Sequence, residues 1–270
     1  MKYFKDLISF FTLLVKQRYM IFQLTKRDFQ SKYLASYLGL PWAFIQPGVT
    51  IAVMWFVFSV GFKTSKVETG VVFTPWLIIG MIAWNFIIES INGATSSLLE
   101  YSFLIKKVYF RPSIIPLIKI LTALIIHTFF IFIAMFFAII YGYYPTLYWL
   151  QIFYYLLCSV VLVLGIGWLT SALNVFVRDI GQAVGVVLQL LFWSTPIFWH
   201  FSILEGNLRF LAYLNPVFYI INGYRESLFS QMWFFEHLRL TAYFWFVALF
   251  FFVFGALIFS RLKKHFADVL

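Results

Sequence analysis

The sequence predicts an all-α polytopic membrane protein: six transmembrane helices, an N-terminal amphipathic helix at the membrane interface, and an outer re-entrant helix pair between spans five and six. Three observations carry this expectation. Hydrophobic residues make up 63% of the 270-residue chain, aromatic residues 23% and charged residues only 11%, more apolar surface than a soluble domain of this length can hide. The apolar residues also fall into runs of about 20, the length that crosses a bilayer as a helix. Finally, the 47 residues from Phe153 to Trp199 hold Arg178 and Asp179 as their only charges. As one helix that run would reach roughly 70 Å, against a hydrocarbon core of about 30 Å. It is therefore two spans joined by a turn. Placing Arg178 and Asp179 at a membrane surface avoids roughly 2.5 to 3.5 kcal/mol for each charge at mid-bilayer.

In chain order, residues 1–41 form a cytoplasmic or interfacial segment, 42–260 the six-span bundle and 261–270 a cytoplasmic tail, all in one transmembrane domain. In the first segment Phe4, Leu7, Ile8, Phe11, Leu14 and Val15 recur at helical spacing, with Lys5, Asp6, Ser9, Thr12 and Lys16 on the other face. Such a helix lies along the membrane surface. It is not expected to be a cleaved signal peptide, because no small-residue cleavage site follows and Lys16 and Arg18 come directly after the apolar stretch. The spans are expected near 42–62, 72–93, 118–141, 150–173, 182–199 and 240–260. Between spans two and three, 94–117 is expected to hold a short amphipathic helix with a basic end, stopped at Pro112. It either docks on a partner or rests on lipid headgroups. Between spans five and six, Phe201 to Arg239 is too apolar for a solvated loop, yet Arg209, Asn215-Pro216 and Arg225-Glu226 cut it into short pieces. Pieces of that size re-enter a bilayer without crossing it.

Lys and Arg counts set the orientation. The N-terminal segment, the 94–119 connection, Arg178 and the C-terminal tail hold fifteen, and the opposite side holds five: Lys63, Lys66, Arg209, Arg225 and Arg239. By the positive-inside rule both termini are cytoplasmic. The net charge of +10 thus reflects topology and anionic lipid, and nucleic acid is not an expected partner.

The chemistry is sparse. No G-x-x-x-x-G-K-[ST] phosphate loop occurs. His127, His200, His237 and His265 are scattered, and Asp6, Asp28, Asp179 and Asp268 form no D-x-D pair. No catalytic, cofactor-binding or metal-binding residue is expected, which disfavours a membrane-embedded glycosyl- or acyltransferase. The lone Cys158 excludes an internal disulfide and reads as a small buried hydrophobe. Glu89 is a carboxylate well inside a span, with Asn85 and Asn92 on the same side. It could serve an ion-coupled lipid or drug transporter, or make a hydrogen-bonded interhelical contact. Gly181 and Gly185, and Gly165 with Gly167, suggest close helix packing. Phe192, Trp193, Phe198 and Trp199 crowd the outer end of span five, with Tyr219 and Tyr224 in the re-entrant region. They form either an interfacial belt or a stacking surface for sugar rings along a substrate path.

Four segments, in order, resemble the membrane subunit of bacterial ABC exporters for lipid-linked polysaccharide, the group serving O-antigen, capsule and teichoic acid. "RDFQSKYLASYLGLPWAFIQP" resembles the pre-span signature through Arg27, Asp28, Lys32, Tyr33, Ser36, Gly39 and Trp42. "NVFVRDIGQ", with Arg178 and Asp179, resembles the cytoplasmic turn, "STPIFW" the Pro-Ile step and "LNPVFYIINGYRESLF" the outer re-entrant segment. Arg111 before Pro112 departs from the family pattern, in which proline comes first.

The resemblance implies a permease in the bacterial inner membrane, acting as a homodimer with two copies of a separate nucleotide-binding subunit. That subunit would carry the ATP and Mg, and this chain no cofactor. The cargo would be a polyprenyl-linked glycan, with an exporter of drugs or small lipids as the alternative. The coupling helix would present Leu98, Leu99, Phe103, Leu104, Lys106 and Lys107 to the ATPase. Phe192, Trp193, Trp199, Tyr219, Tyr224 and Arg225 would line the substrate path. Arg225 would either pair near Glu226 or meet a pyrophosphate.

Overall fold

A computed structural model describes residues 12, 14–34, 39–67, 70–106 and 111–270. Among these the chain is helical throughout, apart from connections and one isolated bridge between Lys66 and Val72. Most of the expected N-terminal amphipathic helix lies outside the described residues. Leu14, within reach of it, packs beside Ile21 and Ile118, whereas Val15 is exposed.

Helix α1 (Arg18–Leu34) is polar over most of its surface and buries Ile21, Thr25 and Asp28. Steps of four and three put these on one face, which lies against α5 (Ile115–Ile140). Helix α2 (Trp42–Trp55) ends in a π-helical turn, Phe56–Gly61. Helix α3 (Phe73–Glu100) is the axis of the molecule, packed on α5, on α6 (Gln151–Phe176) and on the helix Pro216–Arg225. Its 28 residues reach about 42 Å, enough to span hydrocarbon and continue beyond it. A four-residue helix α4 (Ser102–Ile105) follows, set off by Tyr101.

The chain then resumes at Arg111, which is extended (φ −96°, ψ 109°), and turns through a 3-10 segment from Pro112 to Ile114 into α5. A residue before proline is held out of the helical region, and proline tolerates the first helical position because its missing N–H has no partner there. Arg111-Pro112 is thus a helix start.

Helices α7 (Asp179–Ser194), α8 (Gly206–Leu214), α9 (Pro216–Arg225), α10 (Leu238–Leu262) and α11 (Phe266–Val269) complete the chain. Among the described residues five helical segments are long and apolar enough to cross a membrane: Trp42–Gly61, Phe73–Glu100, Pro112–Ile140, Leu147–Phe176 and Phe234–Val269. The segment expected as span five is shorter than 182–199. Helix α7 has 16 residues, about 24 Å, because Thr195 leaves helical geometry ahead of Pro196. The expected coupling helix is also different. Leu98 and Leu99 belong to the last turns of α3, Leu98 being fully buried, so the separate helix begins only at Ser102. Leu98 has core to bury against, and that continues α3 through residues whose polar neighbours suggested a loop.

Close helix approach occurs where the glycines of α6 predict it, but not at α7. A Cβ on Gly165 would sit 2.5 Å from the Phe252 backbone nitrogen, one on Gly255 would strike the Gly165 carbonyl, and one on Gly167 would meet the Ala94 Cβ at 2.7 Å. Gly185 has nothing within 4 Å, so its G-x-x-x-G packs no helix in the described chain. Gly255→Leu should therefore lower the thermal stability of the detergent-solubilised protein by about 1–3 kcal/mol through overpacking, with Gly185→Ala close to neutral. Equal melting of the two variants would contradict the α6–α10 contact.

Candidate functional site

Functional residues gather at the two ends of α3. At the inner end, the start of the pre-span signature supplies Asp28, a buried carboxylate on the inward face of α1. Tyr101 donates its hydroxyl to Asp28 at 2.6 Å, and the Lys119 ammonium of α5 lies 2.8 Å from the same carboxylate. Lys119 also reaches Glu100 at 2.5 Å. It lies against Gly93, where a Cβ would be only 3.4 Å from that of Lys119. Burial first, and then the bond to Asp28, push the Tyr101 hydroxyl above its ordinary pKa, so at physiological pH it stays a proton donor. Nearby, Lys32 of α1 pairs with Glu89 of α3. Burial and the neighbouring Lys119 ammonium lower the Lys32 pKa.

This network ties α1, the end of α3 and the start of α5 to one point. Tyr101 is also the junction residue between α3 and α4. Immediately after it Phe103 is 53% exposed, whereas Leu104 is half-buried, Ile105 is buried and Lys106 is exposed. Lys107 and Ser36 lie outside the described residues, and Tyr33 falls in the last turn of α1. Arg27 lines an open cavity with Asp28 and Lys32. Gly39 has φ +60° at the turn into α2, a backbone region that favours glycine, and Trp42 is the first residue of α2, partly exposed.

The turn at Arg178 and Asp179 is held by a residue whose role the sequence did not single out. Asn174 donates to the Thr95 carbonyl at 3.0 Å and accepts from the Gly181 amide at 3.1 Å. It pins the start of α7 to α3, and both charged residues are exposed. An amide side chain seven residues before Gly181 was the available signal.

At the outer end the two proline steps bind each other. Helix α8 stops at Asn215, whose side chain caps α9 by accepting from the Val217 amide at 2.9 Å and donates to Thr195 Oγ1 at 2.7 Å. Arg225, at the other end of α9, is buried. Its guanidinium donates to the carbonyls of Pro196 at 2.7 Å, Ile197 at 2.5 Å and Trp76 at 3.3 Å, and lies 3.4 Å over the Trp76 ring. Gly80 leaves it room, since a Cβ there would collide with the guanidinium. Glu226 faces elsewhere, accepting from Asn222 at 2.6 Å and lying 3.3 Å from His237. Arg225 thus meets backbone carbonyls where the sequence suggested a carboxylate neighbour or a pyrophosphate.

The other residues expected along a path divide into two groups. Phe192, Trp193 and Phe198 form one ring cluster with centroids 5.2–5.5 Å apart, Trp193 being exposed. Trp199 adjoins it, lining a small outer cavity with Phe58 and Phe198. Tyr219 and Tyr224 are interior: Tyr219 shares hydrogen bonds of 3.0 Å with Tyr154 and Thr241, and Tyr224 one of 3.0 Å with His127. Their hydroxyls fasten α9 to α5, α6 and α10.

Comparison with known proteins gives a consistent result. The chain matches the ABC-2 type transporter family over residues 19–229. It is similar to the O-antigen export system permease protein RfbA of Klebsiella pneumoniae, 25% identical over 248 residues that cover 92% of this chain and 93% of that one. The protein of the same name from Myxococcus xanthus is 24% identical over 226 residues, 83% of each chain.

The inner network makes a quantitative prediction. Asp28→Asn and Tyr101→Phe should each lower thermal stability by about 1–3 kcal/mol, the cost of a buried polar partner lost. Their effects should fall short of additivity by about 0.5 kcal/mol or more, because both act on one bond. Strict additivity in that double-mutant cycle would mean the two side chains do not share it.

Proposed function

Because the chain belongs to the ABC-2 type transporter family, and so is the multi-pass membrane subunit of such a transporter, we propose that it exports an O-antigen-like polysaccharide carried on undecaprenyl. The observation that carries this reading is its similarity along 92% of its length to a permease named for O-antigen export. The unit is a homodimer in the bacterial inner membrane. Each copy spans the membrane six times with both termini in the cytoplasm, α7 completing the count. Orientation is supported by the fifteen basic residues on one side against five on the other. Dimerisation is supported by the faces that α2 and α7 leave uncovered: Val49, Val53, Val186 and Leu190 are exposed, and Gly185 is open to close approach.

ATP and Mg are bound by two copies of a separate subunit, since the sequence carries no phosphate loop of its own. That subunit docks at α4, where Phe103 stands out with Lys106 beside it. Tyr101 then transmits movement of α4 to Asp28 and Lys119, and so to α1, α3 and α5 together. Phe192, Trp193 and Trp199 guide sugar rings past the outer end of α7 by loose stacking, while Arg225, Tyr219 and Tyr224 hold the wall behind them.

The test is transport in proteoliposomes containing this chain and its ATPase. Glycan export should require ATP and persist when the proton gradient is collapsed. Phe103→Asp should leave insertion unchanged and weaken ATPase docking more than tenfold, the effect of losing about 2 kcal/mol at an interface anchor. Export without ATP, or export abolished by a proton ionophore, would favour an ion-coupled carrier using Glu89. Wild-type coupling in Phe103→Asp would remove α4 from the ATPase contact.

A further inference from the structure

A groove runs along one side of the molecule between α1 and α2 on one wall and the α3–α5 pair on the other, and its lining changes character along its length. At the inner end is an open cavity of 610 Å³ bordered by Arg27, Lys32, Lys119, Asp28, Glu89 and Glu100. The next, of 270 Å³, shares Lys32, Glu89 and Asn92 with the first and adds Gln46, Thr50 and Asn85. The last, of 460 Å³, shares Ile82 and Phe130 with the second and is walled by Phe44, Ile51, Ile78 and Phe137. A single stripe on α3 records the gradient: Asn92, Glu89, Asn85, Ile82, Ile78, at helical steps of three and four. Polar groups are met first, and hydrocarbon only beyond Asn85.

We propose that this groove is a binding site for a phospholipid with a zwitterionic ethanolamine headgroup, distinct from the transported cargo. Charge decides the headgroup. Among the described residues the inner cavity is bordered by three cationic and three anionic side chains, so this lining is neutral overall. A neutral border suits a headgroup carrying one charge of each sign and gives no net attraction to a pyrophosphate. Carboxylates at Glu89 and Glu100 accept from a primary ammonium, which has three N–H donors, and a quaternary choline has none. Lys32 and Arg27 face the phosphate.

A second observation marks the depth of the lipid. Asn85 Nδ2 is buried without a hydrogen-bond partner, one helical turn outward from Glu89. A buried amide donor left unpaired costs about 1–3 kcal/mol. In a lipid seated with its phosphate beside Lys32, the ester carbonyls lie one turn deeper and supply that acceptor. The acyl chain then continues past Ile82 into the apolar cavity. The site draws only on the chain's position in a membrane, so its fate is separate from that of the glycan reading.

Native mass spectrometry of the purified chain tests this, after delipidation and exposure to equal amounts of phosphatidylethanolamine, phosphatidylcholine and phosphatidylglycerol, with undecaprenyl phosphate as a competitor. Phosphatidylethanolamine should be retained about tenfold over the other two phospholipids and should not be displaced by the polyprenyl phosphate. Glu89→Gln should abolish the preference for the ethanolamine headgroup, and Asn85→Ala should weaken retention of every phospholipid. Gly48→Trp should block the apolar end, since Gly48 lines it and a side chain there meets open space. Ala52→Trp, one turn along in the same wall, serves if that variant does not fold. Retention of no lipid, a preference for phosphatidylglycerol, displacement by undecaprenyl phosphate, or retention unchanged in Glu89→Gln and the blocking variant would each overturn the proposal. Displacement by undecaprenyl phosphate would make the groove a cargo entry site and leave the export reading standing.

Discussion

An arginine buried among backbone carbonyls organises the outer half of this protein. Arg225 needs acceptors for its N–H donors in a region where water is scarce, and a helix carbonyl such as that of Trp76 offers only the lone pair left beside its own helix bond, at the longer distance of 3.3 Å. The two closer acceptors exist only because α7 ends early: Pro196 and Ile197 lie outside the helix and have carbonyls to give. The donor is presented only because Asn215 ends α8 and starts α9, with Arg225 in the last position of the second helix. Each break would be costly alone, since each frees polar backbone groups. Joined through Arg225 and through the Thr195–Asn215 bond, the two breaks satisfy each other. The Trp76 ring adds a polarisable surface for the cation.

Helix α3 carries that constraint to the other side of the membrane. Trp76 and Gly80 hold Arg225 near its outer end, and Glu100 and Tyr101 meet Lys119 and Asp28 at its inner end. Between them the helix is buried along most of its length against α5, α6 and α9. Packed interfaces of this kind switch between discrete arrangements and do not bend continuously. One element thus connects the Tyr101 junction to the outer proline steps. The uncovered faces of α2 and α7, in contrast, are where the chain can change its neighbours.

How much of this was legible in the sequence follows from the range of the interaction. Five of the six expected span positions were, because charge-free apolar runs are local signals. The break at Asn215-Pro216 was, because proline and a capping side chain act on their own residues. Arg225 was legible as an anomaly but not in its partners, which lie 28 and 29 residues away and across the fold at Trp76. Asp28, Tyr101 and Lys119 met for the same reason only in three dimensions, although two of them flank the connection that the charge pattern singled out. The coupling helix was drawn too long, since Leu98 and Leu99 look alike in sequence and only burial distinguishes the last turns of a span from an amphipathic loop. Gly181 and Gly185 signalled close packing that the described chain does not supply at Gly185, which directs attention to a neighbour outside it.

Arg225 is the point at which these statements stand or fall, and thermal unfolding of Arg225→Lys in detergent tests it most directly. A lysine keeps the charge but is a single ammonium on a flexible stem, unable to span carbonyls on two separate elements while stacking on Trp76. The substitution should cost about 2 kcal/mol or more, as much as Arg225→Met, because carbonyl acceptors are left unpaired in either case. Wild-type melting of Arg225→Lys beside a destabilised Arg225→Met would mean that a positive charge alone suffices there, and that the carbonyl clamp does not hold the outer steps together.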